Sequence, residues 1–193
     1  MKKKILIAMI LSAMPVVVVA ETPSFNFVKG GYTEQGSDDF DIDTDGFELA
    51  GSFEVNDLFY LSGKHTDASE DFLELAVTTF GVGYQHEIAE STLIYAQVDW
   101  AKVVFDRPNS GEFDDQGYQV SIGIRSFVTD SLELDAAVRF LDAGTVDATY
   151  GDFNPTYIEV GASYFFTEEL AAYASYENES EGNRYSIGLR YDF

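Results

Sequence analysis

Apolar and polar residues alternate along most of the chain, and the pattern is clearest in its last nine residues. There, every second residue is apolar: Tyr185, Ile187, Leu189, Tyr191 and Phe193. The positions between them are small or polar and include Arg190 and Asp192. Because successive side chains of a strand point to opposite faces, this period of two predicts a strand with one apolar and one polar face.

The same pattern recurs in ten segments, which predicts ten strands. They cover residues 25–33, 46–55, 58–65, 72–86, 92–102, 117–127, 132–140, 156–166, 170–178 and 184–193. Four short motifs each lead into a strand at a leucine, namely Leu58, Leu93, Leu132 and Leu170. The repeating unit is therefore a hairpin. Eight strands is the alternative, if two short segments are loops.

In most segments the apolar face is rich in aromatic residues and the opposite face carries charge. Lipid outside a barrel and a polar interior require this arrangement. The predicted fold is therefore all-β, a transmembrane antiparallel up-and-down β-barrel. In the segment 72–86 the apolar parity changes between Val77 and Thr78, and we expect a bulge near residue 77.

The predicted connections alternate between short and long, which orients the barrel. Short turns near 56–57, 87–91, 128–131 and 167–169 are expected on the periplasmic side. The longer, acidic connections are expected outside the cell, near 34–45, 66–71, 103–116, 141–155 and 179–183.

The first twenty residues have the pattern of a cleaved signal peptide. Lys2, Lys3 and Lys4 precede an apolar run that closes on Ala20. Ser12 and Pro15 interrupt this run, which is shorter than the ~20 residues of a spanning helix. We expect residues 1–20 to be removed and residues 21–193 to form the barrel domain. The chain has no cysteine, so no disulfide stabilises it.

The formal net charge of −23 excludes nucleic acid as a partner. Such charge is often a sign of disorder, but 46% of the residues are hydrophobic and 15% are aromatic, enough for an ordered apolar surface. A mean hydropathy of −0.09 agrees with a barrel that averages an apolar outside with a polar inside.

The sequence resembles the small outer-membrane β-barrel proteins of Gram-negative bacteria, the group that shares the architecture of OmpX and of the OmpA membrane domain. The resemblance rests on the signal peptide, on 80–84 before a short turn, on the leucine strand starts and on 188–193. It implies an outer-membrane location, a surrounding of lipid and lipopolysaccharide, and biogenesis by periplasmic chaperones and the barrel-assembly machinery. It also implies that the terminal pattern Ile187, Leu189, Tyr191 and Phe193 is the assembly signal.

Charged residues predicted to face the interior form a candidate lumen network. Its members are Glu48, Glu54, Lys64, Asp99, Arg125, Glu133, Asp135, Arg139, Glu159, Arg190 and Asp192. Buried charges require partners, and we expect Arg125 and Arg190 to meet Glu54, Glu133 and Asp192. An interior filled by ion pairs is the first interpretation, because narrow barrels have little free space. A narrow pore that favours cations is the alternative.

Catalytic and metal-binding motifs are weak. His65 lies near Asp67 at a predicted strand end, as a hydrolase base could, but exposed histidines at such places are usually rim residues. The spacing of Asp41, Asp43 and Asp45 copies the start of a calcium loop, but Ser52 stands where the final carboxylate belongs. We expect no enzyme, no cofactor and no dedicated metal site, with divalent cations held loosely by the acidic loops.

The sequence therefore predicts a monomeric integral outer-membrane barrel with a structural or surface-interaction role. A narrow cation-preferring pore is the second hypothesis, and an outer-membrane hydrolase is the third.

Overall fold

The computed structural model describes residues 22–37, 42–70, 73–107, 111–147, 151–152, 154–179 and 182–193. Ten antiparallel strands close into a barrel in chain order, and the first strand pairs with the last. The barrel strands are β1 (Phe27–Ser37), β2 (Ile42–Asn56), β3 (Phe59–Glu70), β4 (Leu73–Ala89), β5 (Thr92–Arg107), β6 (Gly111–Thr129), β7 (Leu132–Asp142), β10 (Thr156–Phe165), β11 (Leu170–Glu179) and β12 (Gly182–Asp192). Two short strands between β7 and β10, β8 (Thr145–Asp147) and β9 (Gly151–Asp152), form a separate sheet. The predicted ten-stranded up-and-down barrel is confirmed. The predicted signal peptide lies outside the described residues.

The outer face of the barrel is apolar, which inverts the arrangement of a soluble protein. Large apolar side chains at alternate positions of most barrel strands are exposed, and Ile122 on β6 is 64% exposed. Charged side chains such as Glu133 and Arg125 are buried inside. A continuous exposed apolar surface of this kind requires a lipid environment. Among the described residues, no helix is long and apolar enough to cross a membrane.

Short turns connect the strands at one end, here called the turn end, and longer connections lie at the other, the loop end. Three turns share one feature, in which a side-chain oxygen accepts a hydrogen bond from the backbone N–H of the leucine at or just before the start of the next strand. Asn56 Oδ1 lies 2.9 Å from the Leu58 nitrogen, Thr129 Oγ1 lies 3.1 Å from that of Leu132, and Thr167 Oγ1 lies 3.0 Å from that of Leu170. These bonds satisfy backbone groups that a tight turn leaves unpaired.

Several strands extend well beyond their predicted ends, so the connections at the loop end are shorter than expected. Strand β6 has 19 residues and β4 has 17, whereas about 9–11 residues cross a membrane. In the predicted loop 141–155, two short strands, β8 (Thr145–Asp147) and β9 (Gly151–Asp152), pair with each other. The barrel wall therefore continues past its apolar belt, where acidic residues can face water on both sides.

The predicted bulge near residue 77 is wrong. Strand β4 pairs with β3 and β5 without a register shift around Val77. Shifts occur instead beside three short turns, between Glu54 and Asn56, Glu87 and Ala89, and Phe127 and Thr129. The change of parity has another cause, because Leu75 and Val77 point inward and pack in an apolar cluster inside the barrel.

Interior tyrosines lie over glycines of the neighbouring strand. Tyr60 is paired with Gly83, and Tyr95 is paired with Gly123. A Cβ atom at Gly83 would lie 2.0 Å from the Tyr60 ring, and one at Gly123 would lie 2.5 Å from the Tyr95 ring. Aromatic side chains that cover cross-strand glycines pin the register and fill the interior.

Gly123→Ala is expected to lower the free energy of unfolding by about 1–3 kcal/mol, because the new methyl group overlaps the Tyr95 ring. The same substitution in a Tyr95→Ala background is expected to cost much less, which a double-mutant cycle of urea unfolding would measure. Gly63→Ala is the matched control, since its Cβ would have no neighbour closer than 3.7 Å. Equal costs in both backgrounds would contradict the packing argument.

Candidate functional site

The lumen of the barrel brings together the charged residues predicted from the sequence. At the turn end, Glu133 lies between two arginines from β6 and β12. Arg125 donates from Nε to Glu133 Oε1 at 2.8 Å and from Nη2 to Oε2 at 3.1 Å. Arg190 donates from Nη1 to Glu133 Oε1 at 3.1 Å and pairs with Asp192 at 2.6 Å. Glu133 is 1% exposed, so one buried carboxylate holds both guanidinium groups.

Aromatic rings alternate with these two arginines. The Arg125 guanidinium lies 4.6 Å from the centre of the Phe25 ring, and that of Arg190 lies 4.5 Å from the centre of the Phe27 ring. The Phe165 ring lies 5.3 Å from Arg190 on β12. Stacking on aromatic faces is favourable for guanidinium groups removed from water.

Glu54 does not join this cluster, contrary to the expectation that it would meet the arginines. Its carboxylate accepts hydrogen bonds from Ser24 Oγ at 3.2 Å, from the Phe25 backbone nitrogen at 2.8 Å and from Asn26 Nδ2 at 3.1 Å. The reason is that residues 22–26, part of which was predicted as strand, precede β1 and fold across the mouth of the barrel. Glu54 therefore binds neutral donors of this segment.

The middle of the lumen is less tightly filled. Asp99 accepts hydrogen bonds from Gln97, Ser62 and Gln119 at 2.8–3.3 Å. Asp135 borders a cavity of about 80 Å³ together with Lys29 and with Arg125, Glu133 and Arg190 of the turn-end cluster. The rest of its wall consists of Phe25, Phe27, Tyr95 and residues of β10 and β11. A polar cavity of this size has room for buried water.

A second ion-pair cluster lies towards the loop end and is centred on Glu177. Its carboxylate forms ion pairs with Lys64 at 2.9 Å, Arg139 at 3.1 Å and Arg184 at 3.0 Å. Arg139 also pairs with Glu159. Because two of these basic side chains bridge carboxylates on different strands, the cluster crosses the interior of the barrel.

Glu48 extends the second cluster towards β1. Its carboxylate binds Lys64 at 2.8 Å and Lys29 at 3.5 Å, and Tyr173 Oη donates to it at 3.2 Å. Glu48 is almost completely buried, so these donors replace the water that it loses.

An apolar layer formed by β4, β5, β7 and β10 lies beside the second cluster, on the side of the loop end. Its buried members are Ala101, Val103, Leu141, Ala143 and Tyr157, with Leu75, Val77 and Phe105 packed against them. These residues occupy inward positions, where the alternating pattern of the membrane belt would place polar side chains. At this end the lumen is lined by apolar side chains on the side of β4, β5, β7 and β10 and by polar ones such as Thr33 and Thr44 on the side of β1 and β2, and the two ion-pair clusters lie below.

Two basic residues of the network, Lys29 and Arg184, were missed by the sequence analysis. Arg184 has the same parity as Arg190 and could have been found from that signal. Lys29 shares its face with Phe27, so the alternation in β1 does not mark the inward side. Its position follows from the pairing of β1 with β12, which sets Lys29 opposite Arg190.

The remaining candidate residues lie elsewhere. His65 is outside the lumen, on β3, where its Nδ1 atom lies 2.8 Å from Thr78 Oγ1 and its ring lies 5.8 Å from that of Phe47. The described residues include no cluster of His, Cys, Asp or Glu able to hold a metal ion. Asp41 of the calcium-like motif lies outside the described residues, while Gly46 and Ser52 are part of β2. The predicted assembly signal, Ile187, Leu189, Tyr191 and Phe193, is exposed on the outer face.

Comparison with known proteins gives no family assignment, since no protein-family model and no curated protein sequence matches the chain. Solved structures of similar shape include the KdgM porin, with 16% identity, a TM-score of 0.47 and coverage of 86% of this chain and 99% of that one. The outer membrane protein OprG from Pseudomonas aeruginosa has 11% identity, a TM-score of 0.47 and coverage of 91% and 99%. Neisserial surface protein A has 16% identity, a TM-score of 0.44 and coverage of 86% and 95%.

The fold can be assigned from the molecule itself. Ten antiparallel strands close without an edge, the outer belt is apolar and the charged side chains lie inside. A closed barrel with this distribution satisfies every backbone group of the wall and places apolar side chains against lipid. This is the architecture of a small outer-membrane β-barrel protein.

Proposed function

We propose that the protein is an integral outer-membrane barrel of a Gram-negative bacterium whose lumen is closed to solutes, and that its role is structural or lies in interactions at the cell surface. The observation that carries the proposal is the filling of the interior. The Glu177 cluster spans the lumen, and the apolar layer around Leu141 and Tyr157 fills part of the lumen beside it, towards the loop end. A hydrated solute could pass only by displacing ion pairs and packed side chains together.

The extended strands support a surface role. Beyond the apolar belt, the outer wall of β4, β5 and β6 carries Glu74, Asp106 and Asp114. In the proposed orientation the turn end faces the periplasm and this acidic wall faces the outside. Lipid and lipopolysaccharide would surround the belt, and the exposed pattern ending at Phe193 would be read by the assembly machinery. Divalent cations bound loosely at the acidic end would reduce repulsion from lipopolysaccharide phosphates.

The refolded protein is expected to give no steady conductance in a planar bilayer, because a hydrated ion would have to displace the ion pairs and the packed apolar side chains of the lumen. Heat-modifiable migration on a gel would show that the inserted protein is folded, and a porin refolded in the same way would be the positive control. Steady openings would contradict the closed lumen. Cation-selective openings, weakened by Glu133→Gln or Glu159→Gln, would establish the alternative of a narrow pore.

A further inference from the structure

The segment 22–26 fills the turn end of the barrel and is bonded to three sides of the wall. Its Phe25 ring stacks on Tyr60 of β3 at 3.7 Å and meets Tyr95 of β5 at 5.3 Å. The carbonyl oxygen of Ser24 accepts a hydrogen bond from Arg125 of β6 at 2.7 Å. Phe25 is 5% exposed, although it belongs to no strand.

The backbone of the segment is held as closely as its side chains. Ser52 Oγ donates a hydrogen bond to the Phe25 carbonyl oxygen at 2.6 Å, and the Phe25 backbone N–H donates one to the Glu54 carboxylate at 2.8 Å. Asn26 Oδ1 in turn accepts a hydrogen bond from the Glu54 backbone N–H at 2.8 Å. A non-strand segment with its backbone groups satisfied inside the mouth is a specifically bound element, since unpaired polar groups there would be costly.

Behind this segment lies the polar cavity of about 80 Å³, which Phe25 and Phe27 border together with Ser175. Charged residues of both signs line it: Lys29, Arg125, Glu133, Asp135 and Arg190. The Glu177 cluster and the apolar layer separate this cavity from the loop end. The cavity can therefore exchange water and small solutes most directly through the mouth that Phe25 occupies.

We propose that residues 22–26 act as a stopper that closes the turn end, and that its release opens the cavity around Asp135 to water and small solutes from that side. Residues 22–26 belong to no strand, and the barrel is closed by the pairing of β1 with β12, so the stopper can leave while the ring of strands remains closed. This inference rests on the closed lumen of the proposed function but requires no conduction across the barrel, because the loop-end layer stays in place.

Thiol labelling tests the stopper, since the chain contains no native cysteine. Ser175→Cys places a thiol in the cavity, and the protein in detergent micelles is treated with the small cationic reagent ethylammonium methanethiosulfonate. Labelling is expected to be slow, and to become at least about ten-fold faster when Phe25→Ala and Glu54→Gln are added. Phe59→Ala, on the outer face near the same end, is the matched control and is expected to leave the rate unchanged.

A second cysteine separates release of the stopper from general loosening. Thr79→Cys lies in a different small cavity, bordered by Lys64 and Arg139 on the side of the loop end, and is expected to stay slow in every background. Acceleration at both positions, or at neither, would overturn the proposal. Steady conductance of the unmodified protein would overturn the closed lumen instead, so the two failures are distinguishable.

Discussion

Glu133→Gln is expected to lower the free energy of unfolding by about 3–5 kcal/mol, because it leaves Arg125 and Arg190 buried with less negative charge between them. The amide keeps nearly the shape of the carboxylate, so the effect reports charge and hydrogen bonding and creates little cavity. Asp192 still forms an ion pair with Arg190 at 2.6 Å, so the loss of the Glu133 charge affects Arg125 most. Urea unfolding followed by the fluorescence of Trp100, the single tryptophan, would measure the change.

Glu168→Gln is the matched control for this substitution. Glu168 lies exposed in the turn before β11, and removal of its charge is expected to change the free energy of unfolding by less than about 0.5 kcal/mol. Arg125→Gln added to Glu133→Gln is expected to recover part of the loss, because one unpaired cation is then absent. If Glu133→Gln unfolded at the same urea concentration as the unmodified protein, the turn-end cluster would not stabilise the barrel as argued here.

Ile122→Arg is expected to destabilise the protein in a lipid bilayer by about 2–4 kcal/mol, because it places a charge on the lipid face near the middle of the belt. Ile122 lies opposite Ala96 of β5 and Val138 of β7, midway along β6 and far from water at either end. Folding titrations in phospholipid vesicles would measure the difference.

Val128→Arg provides the comparison for depth. Val128 is 51% exposed on the same strand but lies beside the turn after β6, where an arginine is expected to cost about 0–1 kcal/mol. Similar costs at the two positions would mean that the apolar face is not held in hydrocarbon, and would contradict the membrane assignment. The pair of variants therefore tests the environment of the belt and not merely the stability of the fold.

Local pattern was sufficient for the wall of the barrel. The parity of Ile187, Leu189 and Tyr191 determined which face meets lipid, because a strand alternates its side chains whatever its partners are. The same rule placed Glu133, Arg139 and Glu159 inside. Turn residues such as Asn56 and Thr129 located the short connections, since their side chains satisfy the backbone locally.

The same rule was insufficient where the environment of a face changes along a strand. Leu75 and Val77 were interpreted as a register shift, although they are inward residues of an unbroken strand. Parity gives the face of a residue, but it does not tell whether that face meets lipid, water or other side chains at a given height. That depends on residues brought together from distant strands, here Val103, Leu141 and Tyr157.

The sequence by itself determined an up-and-down barrel, its apolar belt and most of its interior charges, because alternation and turn chemistry are local properties. It favoured ten strands with eight as the alternative, and the structure decided for ten. The tertiary structure decided which charges become partners. Glu133 forms ion pairs with both Arg125 and Arg190, Glu177 forms ion pairs with three basic side chains, and Glu54 binds the segment 22–26. Partners depend on register and on the path of a segment that belongs to no strand. Both are set by contacts between residues far apart in the chain, such as Arg125 and Ser24, which no local pattern contains.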